Sequence, residues 1–147
     1  MKTVYQQIAD EIDNYLSSLK DDYAEQCFTF KIMNFWGGNK NIIEVKGYYK
    51  DKFKPEKQDD FILLKLFICN ECNQIQISNI FLPEFMKYKG IGKRLIYNVF
   101  KISEKERYEL FIIDMVNSFY QKMIKRGALP CDGCNDAVQI VSETKLF

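Results

Sequence analysis

The sequence predicts an α/β fold: a single domain over residues 1–147, with a mixed, mostly antiparallel sheet and flanking helices. The first observation is that one helix pattern precedes four strand patterns connected by short turns, and short turns join antiparallel strands. The second is a strand–helix–strand run over residues 74–116, because a right-handed crossover of this kind places two strands parallel. The third is composition, since 47% hydrophobic and 28% charged residues are typical of a chain that folds around one core.

The first half of the chain supplies one helix and three antiparallel strands. Apolar residues at three- and four-residue steps predict an amphipathic helix over residues 3–20. The last of the three strands is nearly continuous in apolar residues, as in a central strand covered on both faces. A turn at Gly37–Lys40 separates the first two strands, and a charged loop precedes the third. The three predicted strands are 27–35, 42–49 and 61–68.

The second half alternates strands with helices. A strand continues to Leu82 and stops at Pro83, and its broken alternation between Ile77 and Ile80 predicts a bulge near Ser78-Asn79. Asn117 or Ser118 is expected to cap the last helix, which ends at Gly127. The remaining elements are a helix over 91–100, a strand over 108–116 and a strand over 137–141.

The composition excludes several classes of function. The chain has no histidine, which excludes Ser/His and Cys/His catalysis and the common zinc hydrolase ligand sets. Proton transfer must therefore use Asp, Glu, Tyr, Lys, Cys or water. The net charge of +1 gives no global field toward nucleic acid or a membrane surface, so neither is predicted as a partner. The chain shows no signal-peptide block and no apolar run of about 18 residues, so we expect a cytoplasmic protein.

A glycine-rich turn between a strand and a helix is the main candidate for binding. In the run Lys87 to Arg94, two glycines allow close approach to the backbone, and the helix start leaves N–H groups unpaired. The positive end of the helix dipole and the lysines favour an anion there. The run is not a P-loop, and Leu95 stands where a dinucleotide fingerprint requires glycine. An ordinary strand-to-helix turn is the alternative interpretation.

This turn resembles the acyl-CoA-binding segment of the GNAT superfamily of N-acetyltransferases. The shared pattern is a basic residue, here Lys87, two spacers, and Gly-x-Gly before an apolar helix. The resemblance extends over roughly residues 60–127 and includes the bulged strand, the following apolar strand, and a helix with Asn117, Phe119-Tyr120 and Gly127. It implies a GNAT-like acyl-CoA N-acyltransferase fold. The early part of the chain departs from the family, which places helices between its first two strands.

The resemblance also implies roles for individual residues. The turn would hold the pyrophosphate of CoA, pantetheine would pair with the strand end, and an N–H near Leu82 would polarise the thioester carbonyl. Tyr120 is the expected general acid. The bulged strand carries no carboxylate, so Asp114 is the expected base, with a hydrogen-bonding role in the structure as its alternative. The predicted cofactor-binding residues are Ile80, Phe81, Leu82, Lys87, Tyr88, Lys89, Gly90, Ile91, Gly92, Lys93 and Asn117.

The predicted function is acetyl transfer from acetyl-CoA to an amine by direct attack in a ternary complex. The acceptor would be an amine-bearing small molecule or protein, and a homodimer is compatible with the sequence. The alternative is a GNAT-like module that binds CoA or a protein partner without catalysis.

Two Cys-x-x-Cys pairs raise the question of a metal. Cys69/Cys72 and Cys131/Cys134 have the spacing of zinc knuckles, although their separation is longer than in ordinary zinc ribbons. Reduced thiols that pack as small apolar groups are the alternative. A structural zinc is therefore compatible with the sequence, but no metal ligand is predicted.

Overall fold

The computed structural model describes residues 1–37 and 40–147. The centre of the turn predicted at Gly37–Lys40 lies outside these residues. The helices are α1 (Val4–Leu19), α2 (Ile91–Glu106) and α3 (Asn117–Lys125), and short 3-10 helices cover Asp21–Gln26 and Glu84–Met86. The strands are β1 (Thr29–Gly37), β2 (Lys40–Lys50), β3 (Gln58–Cys69), β4 (Gln74–Ile80), β5 (Glu109–Ile112), β6 (Leu129–Pro130) and β7 (Val138–Ile140).

All seven strands form one sheet, in the order β1-β2-β3-β4-β5-β7-β6. Strands β1 to β4 pair antiparallel in sequence order, β4 and β5 pair parallel across the α2 crossover, and β7 pairs antiparallel with both β5 and β6. This confirms the predicted fold class. The two-residue strand β6 was not predicted, because so short a segment has no period of its own.

The core is formed by the sheet with α1 and α2, and Met123 of α3 also belongs to it. Consecutive residues Leu63 and Leu64 of β3 are both fully buried, so both faces of this strand are covered. A capping box between Thr3 and Gln6 starts α1, and its apolar face, which includes Ile8, Ile12 and Leu16, is fully buried. Helix α1 packs against α2, whose buried side chains include Leu95 and Val99. This packing fixes the start of α2 beside the end of β4. Over the described ranges, no helix combines the length and the apolar composition needed to cross a membrane.

A bulge interrupts the pairing of β4 with β3, as the sequence predicts. Lys65 pairs with Asn79 and Leu66 with Ile77, so Ser78 is the extra residue of β4. The parallel pairing between β4 and β5 ends at Ile77 opposite Ile112. One more hydrogen bond follows, from the N–H of Ile113 to the carbonyl of Ile77 at 2.8 Å. Beyond it, no backbone hydrogen bond joins the two segments among the described residues, which leaves this edge of β4 open.

Strand β5 is shorter than predicted. The strand expected over 108–116 ends at Ile112, because Asp114 has a φ of 55° and the chain turns there. The backbone N–H of Met115 then donates to the carbonyl of Asp136 at 2.8 Å, on the loop before β7. An apolar run thus continues past the strand because Met115 is buried in the core rather than paired in the sheet.

The start of α3 differs from the prediction, whereas its end agrees. Val116 is the N-cap and Asn117 is the first helical residue, so neither Asn117 nor Ser118 caps the helix, and α3 has no side-chain cap. The backbone of Val116 is extended, and its carbonyl accepts the N–H of Tyr120 at 3.0 Å. At the other end, Gly127 follows the helix with a φ of 94°, a conformation that favours glycine.

Candidate functional site

A cleft of about 880 Å³ lies between the end of β4, the glycine turn, the first turns of α2 and one face of α3. It has about twice the volume of a second cavity, of about 440 Å³, between α1 and α2. Its lining residues are Ile80, Leu82, Lys87, Tyr88, Gly90, Ile91, Gly92, Lys93, Ile96, Val116, Phe119, Lys122, Met123, Lys125 and Arg126.

The turn before α2 has a backbone conformation that few sequences adopt. Tyr88 has a φ of 64° and Gly90 a φ of 78°, so two left-handed residues bring the chain from β4 into α2. For Gly90 this conformation carries no steric cost, whereas it is uncommon for a tyrosine. The side chain of Tyr88 is 92% exposed and stands at the cleft wall. The turn therefore presents backbone, rather than packed side chains, to the cleft.

The N–H groups at the start of α2 are available to bind an anion. The first intrahelical bond runs from Arg94 to the carbonyl of Gly90 at 2.9 Å, which leaves the amides of Ile91, Gly92 and Lys93 without an intrahelical acceptor. No side chain caps this helix, and its first turn holds no acidic residue. Three N–H groups and the positive end of a 16-residue helix thus meet at the cleft wall.

The charge of the cleft is of one sign. Five of its lining residues are cationic and none is acidic. Lys87 forms an exposed ion pair with Glu84 at 3.5 Å, a contact of little energetic value. Within the described residues, Lys93, Lys122 and Lys125 form no ion pair. A polyanionic ligand would therefore find uncompensated positive charge on two walls of the cleft.

The segment after β4 supplies one more free backbone N–H group, that of Leu82. The N–H of Phe81 donates to the carbonyl of Leu63 at 3.0 Å and continues the ladder to β3. The next N–H, that of Leu82, has no acceptor among the described residues, and the Leu82 side chain lines the cleft. Because β5 has already turned away, this edge is open to an extended ligand.

The predicted binding residues fall into two groups. Eight of them line the cleft: Ile80, Leu82, Lys87, Tyr88, Gly90, Ile91, Gly92 and Lys93. The side chain of Phe81 instead packs on Phe61, with ring centroids 5.9 Å apart. Lys89 and Asn117 are exposed and stand outside the lining.

The two predicted catalytic residues lie near the cleft elements but not in the lining. Asp114 is exposed and follows the last paired residues of β5 by two positions. Tyr120 is half-buried against the core on α3, whereas the cleft face of that helix carries Phe119, Lys122 and Met123. The geometry thus brings the binding elements together and leaves both proton-transfer candidates beside the cleft.

Sequence reasoning missed the α3 wall of the cleft. The residues of this wall are Val116, Phe119, Lys122, Met123, Lys125 and Arg126. Ile96 of α2 is a further lining residue that was missed. A signal was present, because Lys122, Lys125 and Arg126 follow the helical spacing of one face and α3 contains no acidic residue. The sequence of α3 alone does not show that its basic face lines the same cleft as the start of α2.

The two cysteine pairs lie near opposite ends of β5. Cys69 ends β3 and pairs with Gln74, which in turn pairs with Glu109 at the start of β5. The N–H of Cys131 donates to the carbonyl of Ala137, next to Val138, which pairs with Ile112 at the end of β5. Three residues of strand, about 10 Å, separate these ends, so the pairs do not share one tetrahedral site. Among the described residues, no group of three potential metal ligands is present.

No family model and no curated protein matches the sequence. Among solved structures, the chain is similar to one described as a "putative acetyltransferase from Agrobacterium tumefaciens", with 11% identity and a TM-score of 0.38. The alignment covers 95% of this chain and 93% of that chain. At this TM-score the likeness supports neither an activity nor a substrate.

Proposed function

We propose that this chain is an acetyl-CoA-dependent N-acetyltransferase built as a single GNAT-like domain. One observation carries the proposal: a single cleft joins an anion cradle at the start of α2 to the open end of a bulged strand. Acetyl-CoA has phosphates at one end and a thioester at the other, joined by an extended amide-containing arm. The cleft offers a partner for each of these parts.

The binding mode follows from the free backbone groups. The amides of Ile91, Gly92 and Lys93 would hold the pyrophosphate, with Lys87 and Lys93 adding charge. The pantetheine arm would run along the open edge of β4, in the manner of an added strand. The N–H of Leu82 would then donate to the thioester carbonyl and stabilise the oxyanion that forms on attack.

The chemistry is a direct transfer. The amine nitrogen of the acceptor forms a bond to the acetyl carbon, and the carbon–sulfur bond breaks after the tetrahedral intermediate. The acceptor loses a proton, and the CoA thiolate gains one. Asp114 and Tyr120 are the proposed base and acid, and since neither lines the cleft, each would exchange its proton with the reacting atoms through water. The proposed acceptor is an amine-bearing small molecule or protein, and the cytoplasmic location stays a prediction.

A second candidate function has a specific observation in its favour. The cleft lining includes no Asp or Glu, so no carboxylate base lines the place proposed for the thioester. A module that binds CoA, or a protein partner, without group transfer needs no such base.

Two measurements test these candidates. Isothermal titration with acetyl-CoA tests binding, and release of free thiol in the presence of a panel of amines tests transfer. Binding with thiol release that depends on an amine supports the transferase. Binding without release on any amine supports the non-catalytic module. Absence of binding at high micromolar acetyl-CoA contradicts the acetyl-CoA site.

A further inference from the structure

A second basic surface lines the cleft on α3, apart from the glycine turn. Lys122, Lys125 and Arg126 occupy positions i, i+3 and i+4, which lie on one face of a helix. They belong to a different element from Lys87 and Lys93 and contact the same 880 Å³ space. The cleft thus has two separate cationic walls.

No acidic side chain of the described residues pairs with the lysines of α3. The helix contains no acidic residue, and Lys122 and Lys125 form no ion pair within residues 1–37 and 40–147. Cations in the last turn of a helix complement its dipole, which accounts for their place near the C-terminal end. The helix dipole does not explain why three cationic side chains line one cleft whose lining contains no acidic residue. A second anionic group of the ligand would supply the missing charge.

One cation of the three has a structural contact. Arg126 donates from its guanidinium to the carbonyl of Lys145 at 3.0 Å and so holds the C-terminal segment. Lys122 and Lys125 are exposed and have no such contact among the described residues. These two lysines are therefore the residues that a ligand can engage without disturbing the fold.

We propose that Lys122 and Lys125 form a second phosphate subsite, which takes the 3′-phosphate on the ribose of acetyl-CoA. The inference rests on the proposed function and deepens it. Acetyl-CoA carries two separate phosphate groups: the pyrophosphate and a 3′-phosphomonoester with about −1.5 to −2 charges near neutral pH. The turn and its lysines serve the first group, and the α3 lysines serve the second as flexible point charges. The cleft therefore selects acyl donors that carry the 3′-phosphate.

Isothermal titration with two ligands and three proteins tests this subsite. The ligands are acetyl-CoA and 3′-dephospho-acetyl-CoA, which differ only in that phosphate. The proteins are the wild type, the double variant Lys122→Gln/Lys125→Gln, and the control Lys101→Gln/Lys105→Gln. The control removes the same charge from exposed positions of α2, beginning about 12 Å along the helix from Lys93.

The wild type and the control are expected to bind dephospho-acetyl-CoA about tenfold or more weakly than acetyl-CoA. The α3 double variant should bind the two ligands within about twofold of each other, with unchanged thermal unfolding. Equal affinity of the wild type for both ligands overturns the subsite and leaves the proposed function intact. The subsite is also overturned if the α3 double variant still prefers acetyl-CoA over dephospho-acetyl-CoA as strongly as the wild type does. If the wild type binds neither ligand, the proposed function fails together with the subsite.

Discussion

Gly92 lies against Ile80: a Cβ atom at Gly92 would stand 3.6 Å from Cγ2 of Ile80 and 4.0 Å from Cδ1 of Leu82. The first turn of α2 therefore lies beside the end of β4, with room for about one methyl group between them. Because of this proximity, the amides proposed to hold phosphate and the amide proposed to face the thioester line one cleft. A change at Gly92 alters this cleft without backbone strain, because its φ is outside the left-handed region.

The variant Gly92→Ala is expected to separate stability from binding. The added methyl group meets Ile80 at an ordinary contact distance, and alanine favours a helix over glycine by about 0.5–1 kcal/mol. The melting temperature should hold or rise by a few degrees, while acetyl-CoA binds about tenfold more weakly because the methyl group stands between phosphate and backbone. Calorimetry and thermal melts measure both. Asn98→Ala, on α2 outside the cleft, is the control, and equal weakening by both variants would contradict the explanation.

Gly90 allows a test of charge at constant shape. With a φ of 78° and no atom within 4 Å of a built Cβ, it accepts Asn and Asp at similar cost, since both tolerate the left-handed region. Gly90→Asp should weaken acetyl-CoA binding at least tenfold more than Gly90→Asn, because it adds a negative charge at the anion cradle. Titration calorimetry at low salt measures the difference. Indistinguishable affinities would show that no anion binds at this turn.

Gly47 is a stability test away from the cleft. A Cβ at this position in β2 would clash with Cζ of the Phe61 ring, which also packs on Tyr49 and Phe81. Gly47→Ala should therefore destabilise the protein by about 1–3 kcal/mol, through overpacking. Urea unfolding measures the loss. Adding Phe61→Leu should restore part of it, and strictly additive effects of the two changes would contradict the clash.

Cysteine reactivity follows from burial in the loop before β7. Burial raises the pKa of the Cys131 thiol, with the nearby Cys134, Asp132 and Asp136 acting in the same direction. At neutral pH a smaller fraction of the Cys131 thiol is therefore ionised to thiolate, the reactive form. Cys131 should alkylate more slowly than the exposed Cys134. The alkylation rate of Cys131 should also keep rising with pH beyond the ordinary thiol pKa range. Mass-resolved iodoacetamide labelling measures both rates.

The raised pKa of the Cys131 thiol also predicts how the free energy of unfolding changes with pH. A pKa raised in the folded state contributes stability below the unfolded pKa, and this contribution is lost as pH rises through the folded value. Cys131→Ser should therefore reduce the loss of stability under alkaline conditions. Equal labelling rates of Cys131 and Cys134 at neutral pH would contradict the burial of this thiol.

The sequence was sufficient for the elements whose signals are local. The bulge at Ser78 was predictable because Ile77 and Ile80 break a two-residue period, and the register shows the extra residue there. Gly127 was predictable as a helix end because few other residues adopt its backbone conformation. The glycine turn was predictable from the spacing of Gly90 and Gly92 between a strand pattern and a helix pattern.

The remaining features depend on tertiary contacts that a local pattern does not encode. The strand after α2 ends early because Asp114 turns the chain toward Asp136, a residue more than 20 positions away. Val116, rather than Asn117, caps α3 because this same turn fixes the extended backbone before the helix. The cationic face of α3 became part of the site only because the fold places it across the cleft from the start of α2. The acceptor side has no recognisable pattern in the sequence.

The most direct test of the central claim is an amide NMR titration of the wild-type protein with acetyl-CoA and, separately, with ADP. ADP carries a pyrophosphate but lacks the pantetheine arm and the thioester. We predict that both ligands shift the amide signals of Ile91, Gly92 and Lys93, whereas only acetyl-CoA shifts that of Leu82. Shifts by acetyl-CoA that spare these four amides would contradict the claim that one cleft binds phosphate at the turn and the thioester at the end of β4.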